Sequence, residues 1–165
     1  MTTRTGLSVD APEGSSTLRY EREFEAPKEA VWRAHTDPTI LARWVGPRRL
    51  TMIVKEYDVR DGGKWAFTHR DPDGTDFEFR GVFHSVTPDR IIQTFEFLGA
   101  PGQVDLESIE FEDLGGRTRL VGVATYLTPE ARDSALQMGM EGGMTEGYER
   151  LDELLDEAAA GTTPS

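Results

Sequence analysis

Residues 18–26 alternate strictly. Leu18, Tyr20, Arg22 and Phe24 fall on one face, and Arg19, Glu21, Glu23 and Glu25 on the other. A period of two marks a strand with one buried face, and Arg22 is the odd member of the inner set. The period then changes. Pro27 opens a helix at a position where its missing N–H costs nothing, with Ala30, Val31 and Ala34 as the apolar stripe. Asp37-Pro38 restarts the chain as a second short helix with Asp37 as its N-cap. Ile40, Leu41 and Trp44 point inward from it, and Gly46-Pro47 ends it.

Strand patterns follow over 50–59, 64–70, 76–86, 90–97, 104–112 and 117–126. The separators are turn-forming: Asp61-Gly62-Gly63, Asp71-Pro72-Asp73-Gly74, Thr87-Pro88-Asp89 and Leu114-Gly115-Gly116. Strands joined by short turns predict an antiparallel meander. Thr128-Pro129-Glu130 then starts a helix, with Thr128 as N-cap and Pro129 at its first position. The helix runs to about Ala159, and four glycines between Gly139 and Gly147 predict a break or a loosened turn. Beyond them Tyr148, Leu151, Leu154 and Leu155 share one face.

This order predicts an α+β fold: a curved antiparallel sheet of about seven strands around a long C-terminal helix, with two short helices after the first strand. A sheet curved around one helix leaves a gap where the two diverge, which is the physical basis for expecting a small apolar or amphipathic ligand there. Residues 1–16 and 160–165 lack periodicity and are read as flexible tails around a single domain over 17–159.

Composition narrows the partners. The chain has 165 residues and no cysteine, which excludes disulfides, thiolate metal sites and thiol nucleophiles. A formal net charge of −12 repels phosphate backbones and anionic headgroups, so neither nucleic acid nor a membrane is an expected partner. Residues 1–16 carry no apolar run of a secretory signal, and the cytoplasm is the expected location. No cofactor motif stands out: the turn at Gly62-Gly63 lacks a dinucleotide fingerprint and opens no helix. His35, His69 and His84 are too scattered to suggest a metal site. His35 is expected to cap its helix, and His84 to be exposed. Asp58 and Arg60 share a strand face and are expected to form a structural ion pair.

The richest signal is aromatic. Trp65 and Phe67 alternate on one strand, Phe77, Phe79 and Phe83 on another, and Phe95 and Phe97 on a third. Polar residues continue the same parity: His69 after Phe67, Gln93 before Phe95, Glu107 before Ile109 and Phe111. Polar groups on an inner face need partners or a wet or liganded cavity. The expected lining is Trp65, Phe67, His69, Phe79, Phe83, Phe95, Met140, Met144 and Tyr148. The methionines beside the glycines suit an adaptable mouth. His69 and Glu107 are the candidates for acid–base chemistry, His69 because its ordinary pKa lies near neutrality.

Several ordered motifs carry a resemblance over roughly 17–156. Arg22-x-Phe24-x-Ala26-Pro27, Val31-Trp32-x-Ala34, Thr36-Asp37-Pro38 and Trp44 resemble the opening of the SRPBCC (START-like) superfamily, in its branch named after the heat-shock-protein-90 ATPase activator homologue. Asp58-x-Arg60-x-Gly62-Gly63-x-Trp65, Asp73-Gly74, Gly81, Thr87-Pro88-x-Arg90, Gly116-x-Thr118 and Gly147-Tyr148-x-x-Leu151-x-x-Leu154 continue it, with Tyr148 where the family often has Trp. The resemblance implies a helix-grip fold with a cavity. It implies no single reaction, since superfamily relatives bind lipids, hormones or polyketides and a few are cyclases or hydratases. A ligand-binding protein is the leading expectation, and the reading leans against an enzyme. A cyclase- or hydrolase-type enzyme is the alternative. An interaction module, as a homodimer or a chaperone associate, is the third, with a chaperone partner not expected.

Overall fold

The computed structural model describes residues 6–161. Twelve elements follow in order: strands β1 (Ser8–Asp10) and β2 (Thr17–Phe24), helices α1 (Lys28–Thr36) and α2 (Pro38–Leu41), strands β3 (Thr51–Tyr57), β4 (Lys64–Arg70), β5 (Asp76–Val86), β6 (Arg90–Phe97), β7 (Val104–Asp113) and β8 (Thr118–Thr125), and helices α3 (Pro129–Gln137) and α4 (Met140–Gly161). The strands form one curved sheet in the order β1-β2-β8-β7-β6-β5-β4-β3, every neighbouring pair antiparallel. The expected α+β helix-grip architecture is what the chain adopts.

The sheet has eight strands, where about seven were expected. The extra strand falls inside the segment read as a flexible tail: Ser8–Asp10 pairs with β2, setting Val9 opposite Tyr20. Three residues are too short to show a period, but the free edge of β2 supplies a template for pairing. Residues 1–5 and 162–165 of the two predicted tails lie outside the described residues.

Local signals behave as their chemistry requires. The Asp37 carboxylate accepts from the Thr39 N–H at 2.9 Å to start α2, and the Thr128 hydroxyl accepts from the Ala131 N–H at 3.0 Å to start α3. Arg60 donates to Asp58 at 2.8 Å, the expected ion pair. The C-terminal helical pattern breaks at Met138–Gly139, where Gly139 takes φ +86°. The other glycines of that run continue within α4.

α4 seats on β2 through its second half. Arg22 makes a two-pronged pair with Asp152, Nη1 to Oδ1 at 2.8 Å and Nη2 to Oδ2 at 2.6 Å, with both side chains buried. The odd polar member of the inner strand face thus meets a carboxylate on the helix. Leu151 is fully buried beside it, and the Tyr148 ring stands edge-on to Phe24 at 5.5 Å. The Trp44 ring stacks on Tyr148 at 5.7 Å and its indole N–H donates to the Ala34 carbonyl at 2.9 Å, tying the two short helices to the same seat.

Breaking this pair leaves a buried charge without compensation. Asp152→Ala is expected to lower unfolding free energy by about 3–5 kcal/mol in urea titrations, while Arg22→Met with Asp152→Leu recovers most of that loss. The glycines at the helix break should respond with opposite signs. Gly139→Ala strains a left-handed backbone and costs about 1 kcal/mol. Gly142→Ala, whose added methyl meets no atom within 4 Å, adds about 0.5–1 kcal/mol; both are read from the same titration.

Candidate functional site

The first half of α4 does not fill the sheet. Between them lies a cavity of about 860 Å³, bounded by β4–β7, α2 and the loop after it, α3 and the segment from Met138 to Tyr148. Its long wall is aromatic. On β4, Trp65 and Phe67 stack at 5.4 Å. Phe67 stacks on Phe79 of β5 at 5.1 Å. Phe95 of β6 lies 5.4 Å from both Trp65 and Phe79, and Phe97 5.1 Å from Phe79. The wall exists because inner-face positions of three adjacent strands come into register, with Phe67 opposite Phe79 and Phe79 opposite Phe97. Gly81 allows the indole to lie across β5, since a methyl there would come within 2.5 Å of the Trp65 ring.

Eight of the nine residues expected to line a pocket do border this cavity: Trp65, Phe67, His69, Phe79, Phe95, Met140, Met144 and Tyr148. Phe83 does not, which corrects that expectation. It shares their parity, but its ring packs edge-on against Tyr57 at 5.5 Å, and its exposure is 0%. Its backbone bonds to Gly62 and Gly63 at 2.8 Å extend the β4–β5 ladder.

The polar members separate into two groups. His69 lies 4.9 Å from Phe67 and 5.4 Å from Phe79, and a methyl added at Gly46 would come within 2.6 Å of its imidazole. Burial pushes it down to about 4, against a backbone hydrogen bond at Val45, with the Arg150 charge lowering it further. The second group is on β7. The Gln93 amide donates to Glu107 at 3.1 Å. Asp105 sits two residues before Glu107 on the same face, opposite Phe95. Burial pushes Asp105 up to about 9, and the neighbouring Glu107 charge adds to the shift. Burial raises Glu107 too, against the hydrogen bonds from Gln93 and Asp105. Asp105 so placed keeps its proton at neutral pH.

Three buried polar atoms that border the cavity have no hydrogen-bond partner: Trp65 Nε1, His69 Nε2 and Asp105 Oδ2. Orphaned buried polar atoms are costly and uncommon, and these three are sealed beneath the cavity's surface.

Sequence reasoning missed Asp105, although one more step back along Glu107-Ile109-Phe111 reaches it. His35 does not cap α1, whose C-cap is Asp37. Its Nδ1 meets the Val31 carbonyl oxygen at 2.8 Å, and its ring is wedged between Trp44 at 4.9 Å and Phe111 at 5.0 Å. It borders the cavity, pushed by burial down to about 4 against its bond to Val31. His84 is exposed, as expected. Tyr20 and Tyr126 also contribute to the lining. No signal short of the three-dimensional pairing marks them.

These shifts give stability a definite pH dependence. Asp105 holds a proton in the folded state that the unfolded chain releases between pH 3.8 and about 9, so its contribution falls as pH rises through that window. His35 and His69 act oppositely, because the unfolded chain binds their protons between about 4 and 6.5 and the folded state does not. Above pH 6.5 the carboxyl pair is left alone among these groups. Stability should decline from pH 6.5 to 9 by up to about 1.4 kcal/mol per pH unit, and Asp105→Asn should flatten that limb of a pH series of urea unfolding curves.

Comparison with known proteins agrees with the geometry. A crystal structure of a protein from Rhodobacter sphaeroides superposes with a TM-score of 0.84 at 27% identity, covering 93% of this chain and 99% of that one. The solution structure of a protein from Arthrobacter aurescens gives 0.85 at 31% identity, covering 93% of each chain. A crystal structure from Nitrosomonas europaea gives 0.77 at 30% identity, over 87% of this chain and 96% of that one. No curated protein matches the chain. The family model described as "Activator of Hsp90 ATPase homolog 1-like protein" matches residues 25–156. The span runs from just after β2 into α4 and takes in the aromatic wall, the carboxyl pair and the α4 side of the helix seat, and the chain belongs to that family.

Proposed function

We propose that this chain is a binding protein for a small hydrophobic or amphipathic molecule held between the sheet and α4. The observation that carries this reading is the cavity of about 860 Å³ walled by aromatic rings. Each 100 Å² of apolar guest surface removed from water contributes about 2.5 kcal/mol before association costs. The polar members of the lining, among them Gln93, Asp105 and Glu107, supply a few fixed polar contacts to orient such a guest. Met140 and Met144 sit on the helix side, and Met138, 70% exposed, stands at the rim. Unbranched thioethers there can adapt to guests of different outline.

A second reading has one observation in its favour. Neutral His69 and the raised Asp105–Glu107 pair border the same space, as acid–base chemistry would require. Against it, His69 is on β4 and the carboxyls are on β7, with β5 and β6 between. No hydrogen bond joins them among the described residues. Binding is therefore the reading we adopt.

The test is a thermal-shift screen with lipids and polyketide-like aromatics, backed by native mass spectrometry. A guest at a hundred times its Kd should add about 2.7 kcal/mol of stability, and Met144→Trp, which fills the space, should abolish the shift. A screen in which no compound of either class stabilises the protein would overturn the proposal.

A further inference from the structure

The carboxyl pair deepens the binding reading, and the guest assigned to it rests on that reading. Asp105 and Glu107 border a cavity whose other buried walls are mostly aromatic. Asp105 is 4% exposed, and its Oδ2 has no partner. No lysine or arginine is within salt-bridge distance of either acid among the described residues. A structural buried carboxylate ordinarily has a cation or several donors against it. This pair has one amide, from Gln93.

The position of the pair matters as much as its isolation. Asp105 is directly opposite Phe95, and Glu107 opposite Gln93. Phe95 in turn lies 5.4 Å from both Trp65 and Phe79. The acids therefore adjoin the ring cluster, with no intervening strand. Ring faces attract cations through their quadrupole, most strongly for Trp and most effectively where water is excluded. Carboxylates at the edge of such a cluster complete a receptor for positive charge. We propose that the cavity takes an organic ammonium ion with an apolar body, its cationic head between the Asp105–Glu107 pair and the Trp65–Phe95 rings.

The surroundings agree in sign. Among the described residues, Arg49 is the one basic side chain bordering the cavity apart from the two histidines. It is exposed and turned toward Asp71 at 3.9 Å. Glu130 also borders the space and is exposed. The groups facing the pair from other elements are the hydroxyls of Tyr20 on β2, Tyr126 after β8 and Tyr148 on α4, all raised by burial and neutral. Arg22 and Arg132 act on Tyr148 and Tyr126 respectively from outside the lining. His35 and His69 are held uncharged by burial. With a formal charge of −12, the whole chain also draws cations toward its surface.

A bound cation favours the ionised carboxyl, so the pair must give up a proton when the guest enters. The charge is exchanged inside the cavity, and no bond is made or broken other than that to the departing proton.

The experiment is isothermal titration calorimetry of the intact chain at neutral pH in two buffers of different ionisation enthalpy. Three probes share one apolar body: phenylbutyl-trimethylammonium, phenylbutanol and phenylbutyrate. The ammonium probe should bind on the order of tenfold or more tighter than the alcohol, with release of about one proton and with the carboxylate weakest. Asp105→Asn and Glu107→Gln, checked for folding by their melting curves, should lose both the preference and the proton release while still binding the alcohol. Alcohol binding as tight as ammonium binding, absence of proton release, or a preference that survives in both variants overturns the cation assignment and leaves the binding cavity standing. If none of the three probes binds, the cation assignment falls, and the thermal-shift screen decides the binding reading separately.

Discussion

The docking of α4 on β2 governs the interior. Arg22 and Asp152 form a buried two-pronged pair, and Leu151 and Tyr148 pack beside it on Leu18, Tyr20 and Phe24 of the core. A desolvated pair tolerates little movement, because separating the charges strands both. The second half of the helix is therefore fixed in register against one strand. The first half has no equivalent anchor. It is rich in glycine and methionine, and the cavity lies along it, from Met138 to Tyr148. Space persists there because the sheet curves away from a helix already fixed elsewhere.

That geometry sets the chemistry of the lining. Side chains on the inner faces of β4–β7 have lost their water without finding a packed partner. For the rings this costs little. For His69, Asp105 and Glu107 the missing water is the leading cause of the shifts that make the histidine neutral and keep a proton on the carboxyl pair. A fully packed core would not have tolerated them. Membership of the activator-homologue family agrees with such a container, while the family description leaves its contents open. Among the described residues no helix is long and apolar enough to cross a membrane.

Much of this was legible along the chain, for local reasons. Alternation placed the inner faces of the strands, Thr128-Pro129 and Asp37-Pro38 marked helix starts, and the glycine run marked the break now seen at Gly139. The polar members of the aromatic stripe proved to be the ones that reach the cavity: His69, Gln93 and Glu107. The failures are equally specific. Phe83 has the right parity and the wrong neighbours, because its ring is packed against Tyr57, well before it in the chain, and is fully buried. Ser8–Asp10 has no period to read, because three residues are ordered by the edge they join.

Periodicity, turn chemistry and capping are properties of neighbouring residues, so the sequence by itself determined the elements, their order, the helix-grip class and the face each strand buries. What each buried side chain meets depends on strand register and on where the helix docks. Only the tertiary structure could set Arg22 against Asp152, separated by 130 positions, or bring Asp105 opposite Phe95 beside the Trp65 ring. The same parity that announces burial cannot say whether the space beyond is protein or empty, because that is decided by the packing of the opposite wall.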